Sequence, residues 1–227
     1  MEPTSVFKRL VFMRNVKWFS FLCIIFLSIT GCSSPFFSNM ITRSGDVLFK
    51  DDFSDPSSGW TRLLDLKGFM DYYSSGFRFW VNTPGYNYWS TPGLAFDDVR
   101  IDVDAARIGG PEENRFGMIC RYQDAGNYYF FVISSDGYFG LGKVVAGVTS
   151  LLGQDMMTFS PSIVPGIAPN HLQAQCQGDT LTFYINGQPA AIAIDSEFSK
   201  GDVGLLAGAF EEPGVDILFD NFVVVKP

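Results

Sequence analysis

Asp102 and Asp104 stand two positions apart beside Arg100, in a segment that alternates apolar and polar residues. Residues two apart on a strand share a face. Two carboxylates so placed could act as nucleophile and general acid of a hydrolase. The same pattern also describes a solvated strand face, its commoner meaning. The other acidic pairs read as turns: Glu112-Glu113 follows Gly109-Gly110-Pro111, and Glu211-Glu212 precedes Pro213-Gly214. His171 is the single histidine, so neither a multi-histidine metal site nor a serine–histidine–acid set is visible. There is no phosphate-cradling glycine loop and no zinc-type cysteine spacing.

Sugar binding asks for something else: an aromatic platform and planar polar groups on a rigid face. Trp80 shares the polar side of one strand-like run with Arg78 and Asn82. Arg121 falls opposite Cys120 in another run, and His171, Gln173 and Gln175 oppose Leu172, Ala174 and Cys176 in a third. If these polar sides coincide, Arg78, Trp80, Asn82, Arg121, His171 and Gln173 line one carbohydrate-binding face. Tyr86-Asn87-Tyr88-Trp89 would then flank it from a loop or edge strand. The alternative is that Trp80, Tyr88 and Trp89 pack on the core and the polar groups are merely solvated.

The elements that would position these residues are strands. Phe77, Phe79 and Val81 alternate with Arg78, Trp80 and Asn82; Val99, Ile101, Val103 and Ala105 alternate with Arg100, Asp102 and Asp104. Phe116, Met118, Cys120 and Tyr122 fall on one side of Asn114–Tyr122, and 127–133 is so apolar that it reads as a strand buried on both faces. Asp136-Gly137 and Asn186-Gly187 mark hairpins that suit type I′ turns. More than ten short strands and no convincing amphipathic helix predict an all-β fold: a jelly-roll sandwich of two antiparallel sheets.

The first 31 residues are different. Lys8, Arg9, Arg14 and Lys17 precede the apolar stretch Trp18–Ile29, and small residues follow, as in a secretory signal peptide. Ile29-Thr30-Gly31-Cys32 resembles the lipobox of bacterial lipoproteins. That resemblance implies cleavage before Cys32, lipidation of Cys32, and an extracytoplasmic domain held on the cell membrane or outer membrane. An uncleaved anchor and an ordinary secretory signal are the alternatives, although about 12 apolar residues fall short of the roughly 20 that span a bilayer. The organisation expected is a signal peptide over 1–31, a tether over 32–46 and a sandwich over 47–227. Residues 1–31 hold four basic and one acidic of the chain's 16 and 24, leaving 12 against 23, a balance of −11. This argues against nucleic acid as a partner and against electrostatic docking on anionic lipid. With Cys23 in the signal and Cys32 lipidated, Cys120 and Cys176 remain. An even pair in an exported chain predicts a disulfide, with two buried thiols as the alternative.

The order of several short motifs carries a resemblance. Asp51-Asp52-Phe53-Ser54-Asp55 with Ser58-Gly59-Trp60, then Phe116-Gly117-Met118-Ile119-Cys120-Arg121-Tyr122, then Asp179-Thr180-Leu181-Thr182-Phe183-Tyr184-Ile185-Asn186-Gly187, and finally Phe219-Asp220-Asn221-Phe222 resemble the concanavalin A-like lectin/glucanase domains. The resemblance is particularly to laminin G-like members, and the related 3-keto-disaccharide hydrolase domain has a similar ending. The resemblance implies side-by-side first and last strands, which would bring Asp52, with Asp51 or Asp55, near Asp220 as ligands for a structural calcium. Turn-forming aspartates need no metal, however. The Glu-x-Asp-x-x-Glu strand of the laminarinase-like hydrolases is missing, so no catalytic residue is assigned. Three functions follow: a lectin-like domain binding glycan or surface polymer, a sugar-processing hydrolase, or a protein-interaction module. The first is preferred.

Overall fold

A computed structural model describes residues 43–227. The expected signal peptide and Cys32 lie outside the described residues, as does most of the tether. The described residues form sixteen strands and no helix. In chain order they are β1 (Val47–Asp51), β2 (Leu63–Asp65), β3 (Gly68–Tyr72), β4 (Phe77–Val81), β5 (Asn87–Ser90), β6 (Val99–Gly109), β7 (Asn114–Asp124) and β8 (Asn127–Ile133). They continue as β9 (Tyr138–Val145), β10 (Val148–Leu151), β11 (Thr158–Phe159), β12 (Asn170–Gln177), β13 (Thr180–Ile185), β14 (Gln188–Ile194), β15 (Asp202–Ala209) and β16 (Val215–Val225).

A nine-stranded sheet has the order β14-β13-β12-β6-β16-β4-β3-β2, with β1 also on β16. A seven-stranded sheet runs β10-β9-β8-β7-β15-β5, with β11 on β9. The two antiparallel sheets make the expected jelly-roll sandwich, and the first and last strands do lie side by side. The apolar halves of the alternating strands meet between the sheets. Phe77, Phe79, Ile101, Val103 and Phe219 face Phe116, Met118, Phe131 and Leu205, all essentially inaccessible. Each such side chain contributes about 1.5–3 kcal/mol by leaving water. The Cys120–Cys176 disulfide joins β7 to β12 and so stitches one sheet to the other.

Two local features depart from simple alternation. Arg121 has φ 52°, and the pairing of β7 slips there against both β8 and β15. A left-handed residue inserts one extra position into the strand, as in a β-bulge. Cys120 and Arg121 therefore both turn inward, and Tyr122, expected beside Cys120, points outward instead. The Asp136-Gly137 turn is also not type I′. Only Gly137 has positive φ, and its N–H donates to the Ser134 carbonyl, giving a three-residue loop closed by a left-handed glycine. Asn186 and Gly187 both have positive φ, as a type I′ turn requires.

Candidate functional site

Most of the outer face of the seven-stranded sheet is not polar. Tyr128, Phe130 and Val132 of β8, Ile119 of β7, Val144 of β9 and Leu206 of β15 form a second apolar cluster, separate from the core. This explains why 128–133 is apolar throughout: Tyr129, Phe131 and Ile133 face in, and Tyr128, Phe130 and Val132 face out. Register shows how the rings fit. Phe130 pairs with Gly142, Val132 with Gly140 and Gly117, and Gly204 and Gly208 flank Leu206 along β15. A side chain at Gly142 would overlap the Phe130 ring. Glycines thus leave room for large neighbours to lie across the strands.

Tyr128, Phe130, Val132, Val144 and Leu206 floor a groove of about 400 Å³, within the range of small-ligand sites. Thr149 and Leu151 of β10 and Met157 wall one side. Trp89 and Tyr122 pack beside the floor. The Trp89 Nε1 donates to the Tyr122 hydroxyl at 3.1 Å, and the Tyr122 and Tyr128 rings are 5.8 Å apart. Burial pushes the Tyr128 phenol up, helped by Tyr122 and opposed by Arg115.

The polar end of the groove is built on one cross-strand row, Arg115–Gly208–Asn87. The Arg115 Nε donates to the Asn87 side-chain oxygen, and its Nη2 donates to the Ala209 carbonyl at 3.2 Å. Its guanidinium carbon stands 4.4 Å from the Phe210 ring centroid, a cation–π geometry. Burial lowers the Arg115 pKa, with Tyr128 acting weakly against it. The groove lining contains no carboxylate. It can bind, but it lacks the paired acids of glycoside hydrolysis.

The residues expected to share one face fall in three places. Arg78 and Trp80 lie on the outer face of the nine-stranded sheet. Arg78 forks onto Asp216 at 2.8 and 2.6 Å, and Trp80 packs on Phe69. Asn82 lies just past β4 and is exposed. His171 and Gln173 are on β12 of the same sheet, but β6 and β16 intervene between β12 and β4. Three strand spacings amount to about 14 Å, so these groups share a face without converging. Arg121 corrects the expectation outright: it is 1 % exposed. Its Nη1 donates to the Phe198 carbonyl at 2.8 Å and its Nη2 to Asp98 at 3.2 Å. The bulge that turned it inward removes it from any open face.

The acids are likewise engaged. His171 Nδ1 lies 2.8 Å from Asp104 and Nε2 3.5 Å from Asp102; Arg100 donates to Asp102, and Asn221 to Asp104. Asp52 accepts both the N–H and the hydroxyl of Ser54, which hold its carboxyl below the usual range. Asp220 accepts the Asn221 N–H at 2.7 Å. Asp51 takes the Trp60 indole N–H at 2.9 Å. Among the described residues no three acidic, histidine or cysteine side chains converge as a metal-ligand set. Asp52 and Asp220 are thus engaged in local turns, and Asp51 anchors the Trp60 indole.

No protein-family description matches this sequence, and no curated protein does. Solved structures do match. The carbohydrate binding module CBM66 from Bacillus subtilis superposes with a TM-score of 0.61 at 20 % identity, covering 74 % of this chain and 96 % of that one. A protein of unknown function with a galectin-like fold from Bacillus subtilis gives 0.59 at 13 % identity, covering 82 % and 99 %. The GH43 protein BlXynB from Bacillus licheniformis gives 0.56 at 15 % identity, covering 80 % of this chain and 40 % of that one. At these identities the likeness establishes the fold.

Sequence reasoning missed Asn87, Arg115 and Gly208 as a unit. The signal available was the pattern Gly204-x-Leu206-x-Gly208 together with the apolar run 128–133, which marks an outer sheet face shaped to hold large side chains.

Proposed function

We propose that this chain is a lectin-like glycan-binding protein, displayed outside the cytoplasm on a lipid anchor at Cys32, and that it binds through the groove on the seven-stranded sheet. The observation that carries this reading is the groove itself: an aromatic and aliphatic floor, an amide and a guanidinium at one end, and no acid. Sugar rings present flat C–H faces and rims of hydroxyls, and such a floor and end match both. Solved structures of the same fold include a carbohydrate binding module and glycoside-hydrolase proteins, which supports a glycan as ligand. The site differs from the one expected on Arg78, Trp80 and His171, because those groups are spent on ion pairs or spread along the opposite sheet.

The test is retention of the full chain, purified in detergent, on a glycan array and on cell-wall polysaccharide. Binding should fall at least tenfold in Tyr128→Ala and persist in Trp80→Ala and Arg78→Ala. Absence of retention on both platforms would sink the reading. The anchor is tested separately: Cys32→Ala should abolish acyl labelling and release the protein from membranes.

The contacts of His171 with Asp102 and Asp104 favour one second reading, a sugar-processing enzyme working from the nine-stranded sheet. Turnover of disaccharides or 3-keto sugars, lost in Asp104→Asn, would establish it.

A further inference from the structure

Arg115 differs from the other arginines of the sandwich. Arg62, Arg78, Arg100, Arg107 and Arg121 each meet an aspartate or glutamate within ion-pair distance, and Arg115 meets none among the described residues. It is also half-buried in an apolar groove, where an uncompensated charge is costly. Of its five N–H donors, one goes to Asn87 and one to Ala209. No unpartnered donor of Arg115 is sealed inside the protein. Nη1 has no partner in the protein, and Arg115 lines the groove, so its free N–H groups are open to a ligand there. Phe210 behind it and Asn87 beside it hold the plane in place. A domain with a charge balance of −11 keeps a single oriented, unpaired cation here.

We infer that Arg115 sets the specificity of the groove, and that the sugar it selects carries a carboxylate, as a uronic acid does. This rests on the glycan reading above and narrows it. Two parallel N–H donors match a planar carboxylate better than a tetrahedral sulfate or a lone hydroxyl. The negative balance of the whole domain repels polyanions at long range, so recognition rests on this one local pair and not on a basic surface.

The experiment measures binding of the full chain, in detergent, to oligomers of galacturonate, glucuronate and mannuronate. Each is compared with its methyl ester, its neutral parent sugar and a sulfated neutral oligomer. One of the acids should bind, and esterification should weaken it at least tenfold. Arg115→Gln should erase that preference. Asn87→Asp offers Arg115 an internal carboxylate and should abolish binding while leaving thermal stability equal or higher, which separates the effect from misfolding. Esters and neutral sugars binding as well as acids, with Arg115→Gln unchanged, would overturn the inference and leave the glycan reading standing. A preference confined to sulfated sugars would also overturn it. If nothing in this panel or on the glycan array is bound, both fall together.

Discussion

Arg115 reaches Asn87 directly over a glycine. The Nε–Oδ1 hydrogen bond spans from β7 to β5 across β15, and Gly208 lies beneath it. A Cβ at position 208 would overlap the Asn87 oxygen and crowd the Arg115 Nε at 2.8 Å. The polar end of the groove thus depends on the side chain missing at Gly208 as much as on the two that are present.

Gly208→Ala should therefore break the Arg115–Asn87 bond. Overpacking of this kind costs about 1–3 kcal/mol, readable as a lower urea midpoint. Glycan affinity should fall at least as far as in Asn87→Ala, measured by calorimetry on both variants.

The Cys120–Cys176 bond closes a loop of sequence separation 56 between the two sheets. On the chain-entropy account it contributes about 4 kcal/mol. Cys120→Ser, Cys176→Ser and the double variant should lose comparable stability in denaturant, and parent protein under reductant should match them. A parent indifferent to reductant would refute the contribution.

Arg121→Gln and Arg115→Gln should behave oppositely. Arg121 is enclosed and bonded to the Phe198 and Asp97 carbonyls and to Asp98. Its loss leaves part-buried acceptors without their donor, which costs about 1–3 kcal/mol. Arg115 holds no ion pair and is only half-buried, so its loss should cost less stability than that of Arg121 and act on binding instead. Thermal unfolding of the two variants side by side decides this.

That contrast marks where the sequence was readable. Strict alternation in 77–81, 99–105 and 171–177 placed the inner faces correctly, because each strand is regular and half-buried. A purely two-fold pattern has no way to register one left-handed residue. At Arg121 it put a buried cation on the surface, and it put Tyr122 in the core. The groove was hidden for a related reason. Apolar residues at 128, 130 and 132 say only that both faces of β8 are covered. Which residues cover the outer face depends on the glycines of β9 and β15, and only the sheet order brings these onto one face. Arg78 and Asp216 are 138 positions apart, so their pairing was equally invisible, and Arg78 looked free to bind.

Acid should weaken the contact between Tyr129 and the 195–198 turn. Asp195 accepts from the Tyr129 hydroxyl at 2.6 Å and from Lys143 at 2.7 Å. Burial alone would raise its pKa, but these bonds outweigh burial and hold it below the usual carboxylate range. A carboxyl with a depressed folded pKa stabilises the fold above its unfolded value, ~3.9, and loses that contribution as pH falls through the folded value. The stability gap between parent and Asp195→Asn should thus be present at pH 6, about 1.5–3 kcal/mol per charged hydrogen bond at most, and should shrink below pH 4. Urea midpoints across that range give the gap directly.

Neighbouring phenylalanines on β8 separate the groove from the core. Phe131 faces inward, fully enclosed, 5.7 Å from the Phe183 ring centroid. Phe131→Ala should open a cavity between the sheets and cost about 3–5 kcal/mol. Phe130 is 7 % exposed, faces outward over Gly142 and floors the groove. Water or Leu151 can take part of its place, so Phe130→Ala should cost less stability than Phe131→Ala. Its effect on glycan binding should be the larger, because the ring supplies the platform. Phe130→Leu, which keeps apolar area but loses the flat ring, should retain most stability and still bind weakly. If Phe130→Ala and Phe131→Ala alter binding only in proportion to stability, the outer cluster is simply a second core and the groove carries no ligand.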